Sequence, residues 1–170
     1  AAGDIIVVGA GTYTESINLN KAVTLRGAEH GVAAGASPGD RGTVETVLDG
    51  GIFASAPGAV IDGFTVRNGR VSGSVKVGVA VSASNVTVTN TIIEDVSAPA
   101  QSDGLSTETG NNNFTLTNST IRNNWRGIYL NPGSGHVLSG NLIQGNIGSG
   151  VGIGSDGQSN LTLTGNTISD

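Results

Sequence analysis

The sequence predicts an all-β fold, a right-handed single-stranded parallel β-helix of about seven coils. Three observations predict it: two columns of similar residues recur with a shared period of 22–28 residues, the apolar segments between them are too short for helices, and glycine and asparagine mark the turns. Such a repeat is typical of a solenoid, in which each unit buries its apolar face against the next.

The first column consists of six-residue segments with glycine or asparagine at the third position and an aliphatic residue at the end. Their successive offsets are 27, 28, 22 and 25 residues. The segments are IDGFTV at 61–66, VTNTII at 88–93, LTNSTI at 116–121, LSGNLI at 138–143 and LTGNTI at 163–168. Glycine and asparagine tolerate a left-handed backbone, so the third position predicts a tight bend between two short strands.

The second column is a glycine followed by an aliphatic residue, and its offsets are 27, 26, 23 and 23 residues. Its members are Gly51-Ile52, Gly78-Val79, Gly104-Leu105, Gly127-Ile128 and Gly150-Val151. A third short strand precedes each bend, as in NVTV at 85–88 and NFTL at 113–116. Each period therefore predicts three strands and three turns, and coils stacked ~4.8 Å apart would build three parallel sheets around a thin core.

Composition limits the domain organisation and the classes of function. The 170 residues fit a single domain, residues 1–170, which we expect to be a segment of a longer chain because the first residues contain neither an initiator methionine nor a leader. Charged residues make up only 12%, the net charge is −5, and no basic cluster with aromatic residues occurs, so we expect no nucleic-acid partner. The apolar run Ile5-Ile6-Val7-Val8 is far shorter than the ~20 residues of a membrane span.

The opening segment GDIIVVGAGTYTESINLNKAVTLRGA, residues 3–28, resembles the first turns of pectate-lyase-like β-helix proteins. The later Gly/Asn-Asn/Thr-x-Ile pattern is similar to the parallel β-helix repeats of that superfamily, and the resemblance spans nearly the whole chain. It implies the fold, but the superfamily includes polysaccharide lyases, hydrolases, epimerases, adhesins and phage tailspikes. The resemblance therefore implies several functions rather than one.

The sheet with the glycine-aliphatic column is where the enzymes of the superfamily build their substrate cleft. Alternation predicts that the outward residues on this sheet are Phe53, Ala80, Ser106, Tyr129 and Gly152. None of these is a catalytic acid or base, whereas lyases of the superfamily bind Ca²⁺ there through clustered carboxylates. This column favours a protein without catalytic activity.

Asp103 and Arg126 each precede a glycine of the glycine-aliphatic column by one residue. They would therefore be neighbours on adjacent coils. Ser102-Asp103-Gly104 and Gly135-His136 faintly resemble motifs of polygalacturonase-like hydrolases, so Asp103, Arg126 and His136 are the catalytic candidates. The next coil offers no second carboxylate to divide the acid and base roles. Alignment of the repeats also places His136 over Phe114, an inward position that predicts a structural histidine.

Other charged residues are candidates only if the protein is a lyase. The lyase candidates are Arg70, Lys76, Asp103, Glu108 and Arg126. Arg67, Glu94 and Arg122 form one column of alternating sign past the isoleucine ladder, which predicts a solvated charge ladder on the surface.

A group of aromatic and polar residues predicts a glycan contact. An aromatic ring that stacks on a sugar, with hydrogen-bonding groups beside it, is typical of such sites. The predicted glycan-binding residues are Asp103, Glu108, Trp125, Arg126 and Tyr129. The alternative is that Trp125 simply covers the end of a turn.

Three segments interrupt the period. Residues 28–46 predict either a surface insertion or the rim of a groove. Residues 67–77 and 94–103 precede the glycine-aliphatic strand, on the side of the expected cleft. GIGSDG at 152–157 is a single imperfect match to calcium-binding nonapeptide repeats, so no metal site is predicted.

Two hypotheses of function follow. The first is a non-catalytic β-helix module of a secreted or cell-surface protein, acting as a scaffold or adhesin that contacts a polysaccharide. Its further partners would be adjacent coils or domains of the same protein, or a second copy joined end to end. The second is a polysaccharide lyase, epimerase or hydrolase acting on uronates. No cofactor is expected for the first, and Ca²⁺ would be expected for a lyase.

Overall fold

The structure is a computed structural model that describes residues 1–35, 41–72, 75–97, 101–153 and 157–169. All regular structure in these ranges is β-strand. The strands form three sheets, which we name A, B and C, and the chain visits them in this order in each coil. This arrangement confirms the predicted parallel β-helix.

Sheets A and B contain seven strands each, and every strand pairs in parallel with the strand of the next coil. Sheet A contains β1 (Ile5–Val7), β4 (Thr24–Arg26), β7 (Val60–Asp62), β11 (Thr87–Thr89), β14 (Thr115–Thr117), β17 (Val137–Ser139) and β20 (Thr162–Thr164). Sheet B contains β2 (Gly11–Tyr13), β5 (Thr46–Gly50), β8 (Thr65–Asn68), β12 (Ile92–Glu94), β15 (Thr120–Arg122), β18 (Leu142–Gln144) and β21 (Thr167–Ser169).

Sheet C contains β3 (Ile17–Leu19), β6 (Ile52–Ala54), β9 (Arg70–Ser72), β10 (Val75–Val81), β13 (Ser102–Thr107), β16 (Arg126–Leu130) and β19 (Ser149–Ile153). Six of these strands continue the parallel stack, while β9 pairs antiparallel with the start of β10. Within the segment at 67–77, expected to be an excursion of the chain, β9 and the start of β10 thus form an antiparallel pair, the β9–β10 hairpin, which widens sheet C. Six coils have strands in all three sheets and β20 and β21 belong to a seventh, which confirms the predicted number.

The core follows the predicted columns. Val88 pairs with Ile61 and Leu116 in sheet A, and Ile93 pairs with Val66 and Ile121 in sheet B. All six side chains are fully buried. Each such aliphatic side chain contributes roughly 1.5–3 kcal/mol relative to an exposed one, so the stacked columns hold the coils together.

The predicted bend column lies between sheets A and B and has the left-handed backbone expected of it. The φ angle is 79° at Gly63, 50° at Asn90 and 50° at Asn118. The other two corners have left-handed residues of their own, which the sequence analysis did not identify. Asn123 (φ 56°) turns the chain from sheet B to sheet C, and Asn113 (φ 56°) turns it from sheet C to sheet A.

The first two coils depart from the predicted length of 22–28 residues. Ile6 pairs with Leu25, 19 positions further along, and Leu25 pairs with Ile61, 36 positions further along. The second coil is longer because it contains the segment at 28–46. The predicted period therefore holds only from Ile61 onward.

We name residues 28–45 the strap, because the described part of this segment runs along the bend between sheets A and B. The Ala34 N–H donates to the Asn118 carbonyl at 2.9 Å. A Cβ on Gly63 would lie 2.1 Å from the backbone nitrogen of His30, so the close passage of the strap requires glycine there. This corner does not border sheet C, so the described residues of the segment form no rim on that sheet.

Buried amides inside the bends connect one coil to the next. Asn124 accepts the Val96 N–H at 3.0 Å and donates to the Ile93 carbonyl at 3.2 Å. Its own backbone N–H donates to Asn146 Oδ1 at 3.0 Å. These asparagine side chains pair with backbone groups that have no partner within a strand. Both groups can therefore remain buried.

Candidate functional site

The outward face of sheet C has the column predicted from alternation. Ala80 pairs with Phe53 and Ser106, and Tyr129 pairs with Ser106 and Gly152. The aliphatic residues before the first four are fully buried. The column is therefore correct, and its five residues include no acid or base.

Asp103 and Arg126 face the same outward side because the strand breaks its alternation at a glycine. Arg126 lies two residues before the core residue Ile128, and regular alternation would point both inward. A Cβ on the intervening Gly127 would lie 2.5 Å from the carbonyl oxygen of Gly150 in the next coil. Only glycine fits this close stacking, and beside it Arg126 meets Asp103 on the outward side of the sheet.

Asp103 and Arg126 form a two-pronged ion pair between neighbouring coils. The two residues are in register in β13 and β16. Arg126 Nε donates to Asp103 Oδ1 at 2.6 Å, and Nη2 donates to Oδ2 at 3.0 Å. The side chains are 18% and 4% exposed, so this pair is only weakly screened by solvent. Both carboxylate oxygens of Asp103 are occupied by the guanidinium.

The guanidinium of Arg126 also stacks on two aromatic rings. Its Cζ lies 4.0 Å from the ring centroid of Tyr129 and 5.7 Å from that of Trp125. A Cβ on Gly148 would lie 3.3 Å from an indole carbon of Trp125, so the indole packs closely over that glycine. Asp103, Arg126 and Tyr129 together form a fixed platform, in which the ion pair holds the cation against the ring.

An open pocket of about 410 Å³ lies on this platform. Its described lining residues are Val75, Val77, Gln101, Asp103, Ser106, Thr107, Glu108, Arg126, Tyr129 and Asn131. Asn131 is held in place because its backbone N–H donates to Thr107 Oγ1 at 3.0 Å and its side-chain amide donates to the Thr107 carbonyl at 2.6 Å. The pocket has the volume of a small-molecule site and combines apolar walls with polar groups.

The structure brings together four of the five predicted glycan-binding residues. Asp103, Glu108, Arg126 and Tyr129 line the pocket, and Glu108 is exposed to solvent. Trp125 lies beside it and supports Arg126 rather than lining the described cavity. The platform was thus predictable from the alignment of coils.

The sequence analysis missed several lining residues. Val75, Val77 and Gln101 belong to the interrupting segments 67–77 and 94–103, which were expected beside the cleft but without assigned side chains. Residues 98–100 of the second segment lie outside the described ranges. Asn131 directly follows the strand that contains Tyr129. This position in the sequence could have identified it as a lining residue.

His136 lies in the interior and not among the described residues of the pocket. Its side chain is fully buried, and Nδ1 accepts the Phe114 N–H at 3.2 Å. The two rings meet edge to face at 6.2 Å, and Nε2 has no partner among the described residues. Burial lowers the pKa of His136 below its usual value of 6.5. The predicted inward position is confirmed, and the structure does not bring His136 together with Asp103 and Arg126.

The remaining lyase candidates lie on the β9–β10 hairpin. Arg70 donates to Asn18 Oδ1 at 2.6 Å, and its Cζ lies 5.4 Å from the ring centroid of Phe53. Lys76 lies on β10 and is not among the described lining residues. Sheet C therefore has a second pair of arginine and aromatic ring, outside the pocket.

The predicted charge ladder lies on sheet B. Glu94 is in register with Arg67 and Arg122. Arg122 Nη2 lies 2.5 Å from a Glu94 carboxylate oxygen, and Arg67 lies 3.8 Å from Asp49. The column of alternating charge is confirmed and gains a fourth member in Asp49. The expectation that it is solvated is wrong for Arg122, which is buried against Glu94.

Within the described ranges, no three histidine, cysteine, aspartate or glutamate side chains converge on a metal position. Residues 154–156 of the GIGSDG segment lie outside those ranges. His30 is exposed, and its Nδ1 is 2.9 Å from the Gly27 carbonyl oxygen. The described part of the chain also contains no helix that is long and apolar enough to cross a membrane.

Comparison with known proteins supports the fold. A family model described as right handed beta helix region matches residues 50–170, well over half of the chain. This match supports the right-handed sense predicted from the sequence. No curated protein and no solved structure matches the chain.

Proposed function

Because the chain belongs to the family of right-handed β-helix regions, we propose that it is a non-catalytic scaffold, of the adhesin type, that contacts a glycan through the pocket on sheet C. One observation carries this proposal: the Arg126 guanidinium is clamped by Asp103 and stacked on Tyr129 inside an open pocket. The scaffold supplies rigidity, and the pocket supplies the contact.

The groups around the platform suit a sugar. Sugar rings bind proteins through a flat surface and through hydrogen bonds to their hydroxyl groups. Tyr129 and the guanidinium supply flat surfaces, while Ser106, Glu108 and Asn131 can accept or donate hydrogen bonds at the edge. These parts stand on strands stacked in register, so little conformational entropy is lost on binding.

The bonding of the candidate catalytic residues supports a role without catalysis. Both oxygens of Asp103 accept from Arg126, so neither is open to take a proton from a substrate. His136 is buried against Phe114. A division of acid and base roles would require two open carboxylates, and Glu108 is the only other carboxylate among the described lining residues.

The Ca²⁺ ion expected for a lyase does not fit this pocket. Ca²⁺ takes six to eight oxygen ligands, which usually include several carboxylates. The two oxygens of Asp103 already bind a cationic side chain, which leaves Glu108 as the one carboxylate of the described lining without such a partner. The described lining therefore does not supply the oxygen ligands of a Ca²⁺ site.

The setting of the module is also a proposal. We place it in a secreted or cell-surface protein, where a glycan contact would serve adhesion. Its further partners would be β-helix coils, either of the same protein or of a second copy. The support is the stacking itself, since in the described structure each coil pairs in parallel with the next, strand by strand.

Glycan binding is tested by an oligosaccharide array followed by calorimetry with the strongest binder. The Tyr129→Ala variant should lower the affinity about ten-fold, because an aromatic platform and its stacked cation are lost. Phe53→Ala is the matched control, since it removes an aromatic ring with a stacked arginine from the same column outside the pocket. An equal loss of glycan affinity in both variants, or no binding to any oligosaccharide of the array, would contradict the proposal.

The enzymatic alternative is tested in the same samples. Uronate polysaccharides are incubated with the protein, with and without Ca²⁺, and examined for unsaturated or shortened products. We expect none. Product formation that disappears in Asp103→Ala and Arg126→Ala would establish the enzyme instead.

A further inference from the structure

The charge arrangement of the pocket bears on the class of sugar that it can hold. The described lining residues include one cation, Arg126, and two anions, Asp103 and Glu108. Asp103 binds the cation at two points, so Glu108 remains as an uncompensated negative charge. The whole chain has a net charge of −5, which adds to the negative potential at the site.

An acidic sugar would compete with Asp103 for the charge of Arg126. A carboxylate is recognised best by the two-pronged face of a guanidinium. In Arg126 the side-on face, formed by Nε and Nη2, points at the two oxygens of Asp103, whose charge also neutralises the guanidinium. Asp103 is 4% exposed and held in register by the neighbouring strand, so a ligand cannot displace it without breaking a buried ion pair.

We propose that the pocket selects uncharged sugars and excludes uronates, because Asp103 occupies the side-on face of Arg126 and neutralises its charge, while Glu108 adds a negative charge beside it. This inference rests on the proposed glycan-binding function and names its ligand class. Glu108 accepts hydrogen bonds from neutral hydroxyl groups and repels acidic ones. Asp103 is thus a specificity-determining residue, which acts through Arg126.

Matched pairs of oligosaccharides test the inference by calorimetry at low salt. The probes are hexamers of β-1,4-glucose, β-1,4-mannose and α-1,4-galactose, each compared with its counterpart oxidised to the uronate at C6. The neutral member should bind at least about ten-fold more tightly than its uronate, since one hydrogen-bonded ionic contact is missing and one repulsion is added.

Two variants should reduce this preference. Asp103→Asn frees the guanidinium and should raise uronate affinity about ten-fold or more, with a smaller change for the neutral hexamer. Glu108→Gln removes the exposed repulsion and should raise uronate affinity about five-fold at low salt. Glu15→Gln makes the same change in net charge at an exposed turn away from the pocket and should leave the ratio unaltered.

The outcomes separate this inference from the proposed function. If a uronate binds as tightly as its neutral partner, or if Asp103→Asn fails to improve uronate binding in a folded protein, the selectivity is wrong while glycan binding stands. If Asp103→Asn does not fold, Glu108→Gln still tests the selectivity. An unchanged ratio of neutral to uronate affinity in that variant rejects the inference. If no hexamer binds, the proposed function fails and the inference fails with it.

Discussion

Single buried polar residues in this solenoid keep their hydrogen bonds by reaching into the neighbouring coil. Asn124 satisfies Val96 and Ile93 and is itself satisfied by Asn146. His136 differs, because Nδ1 accepts the Phe114 N–H while Nε2 has no partner. The neutral ring therefore has its proton on Nε2, and a second proton on Nδ1 would break the bond to Phe114.

The state of His136 predicts a dependence of stability on pH. Its pKa is lowered in the fold, so the free energy of unfolding is highest above pH 6.5 and falls as the pH decreases below that value. The unfolded chain takes up a proton that the buried ring does not. His136→Asn, which keeps an acceptor near Nδ1 but does not titrate, should lower stability by about 1–3 kcal/mol at neutral pH and flatten this dependence.

Urea unfolding between pH 5 and 8 measures the effect, and the control is His30→Asn at an exposed position. A dependence on pH that is equally steep in His136→Asn and in the unaltered chain would show that other groups cause it.

Residue alignment predicted the environment of His136 but not that of Arg41. The repeats place His136 over Phe114, so its burial followed from the period alone. Arg41 lies in the strap, which has no counterpart in other coils, and its 2% exposure depends on where the strap folds back. Sequence periodicity contains no information on such a tertiary contact.

At the scale of elements, the strap is anchored by that buried arginine. Arg41 Nη2 donates to the Phe64 carbonyl at 3.0 Å and to Glu45 Oε2 at 2.8 Å. Its Nη1 donates to the carbonyl of Asn90. The arginine thus joins the strap to the bends of two successive coils.

Arg41→Met should lower the free energy of unfolding by about 3–5 kcal/mol, because Glu45 and two buried carbonyls lose their partner. The control Arg67→Met removes an arginine that is 39% exposed and 3.8 Å from Asp49, and should cost at most about 1 kcal/mol. Urea denaturation measures both, and equal costs would show that the strap does not stabilise the fold.

The regular strands and bends were more predictable than the interrupting segments, because only the regular ones recur from coil to coil. The bends at Asn90 and Asn118 follow from a column that recurs in five coils. The β9–β10 hairpin occurs once, and so its pairing of Arg70 with Val77 gave no repeated signal. The pocket depends on both, because β13 and β16 supply the platform while the unique segments supply its walls.

At the scale of the whole molecule, the core columns are exposed in the first and last coils that the structure describes. Ile6 in the first coil and Leu163 and Ile168 in the last are each about half exposed. Strands β1, β20 and β21 likewise have one unpaired edge in the described structure. Open edges of this kind favour pairing with further strands.

We expect the 170-residue chain to associate end to end as its concentration rises, which sedimentation velocity measures. Leu163→Asp should suppress this association, because a charge would be buried between stacked coils. Ile147→Asp changes an isoleucine that is 81% exposed on a turn and should have no effect. A monomer at all concentrations would contradict end-to-end association.

The central claim is that the platform of Asp103, Arg126 and Tyr129 is a glycan-binding surface, and NMR mapping of the bound sugar tests it most directly. A neutral hexasaccharide is titrated into the isotope-labelled chain, and the backbone amide shifts are followed. Shift changes are expected in β13 and β16 of sheet C and at the adjoining Asn131, with sheet A unaffected. Shifts on another face, or no shifts with any neutral or acidic hexamer, would contradict it.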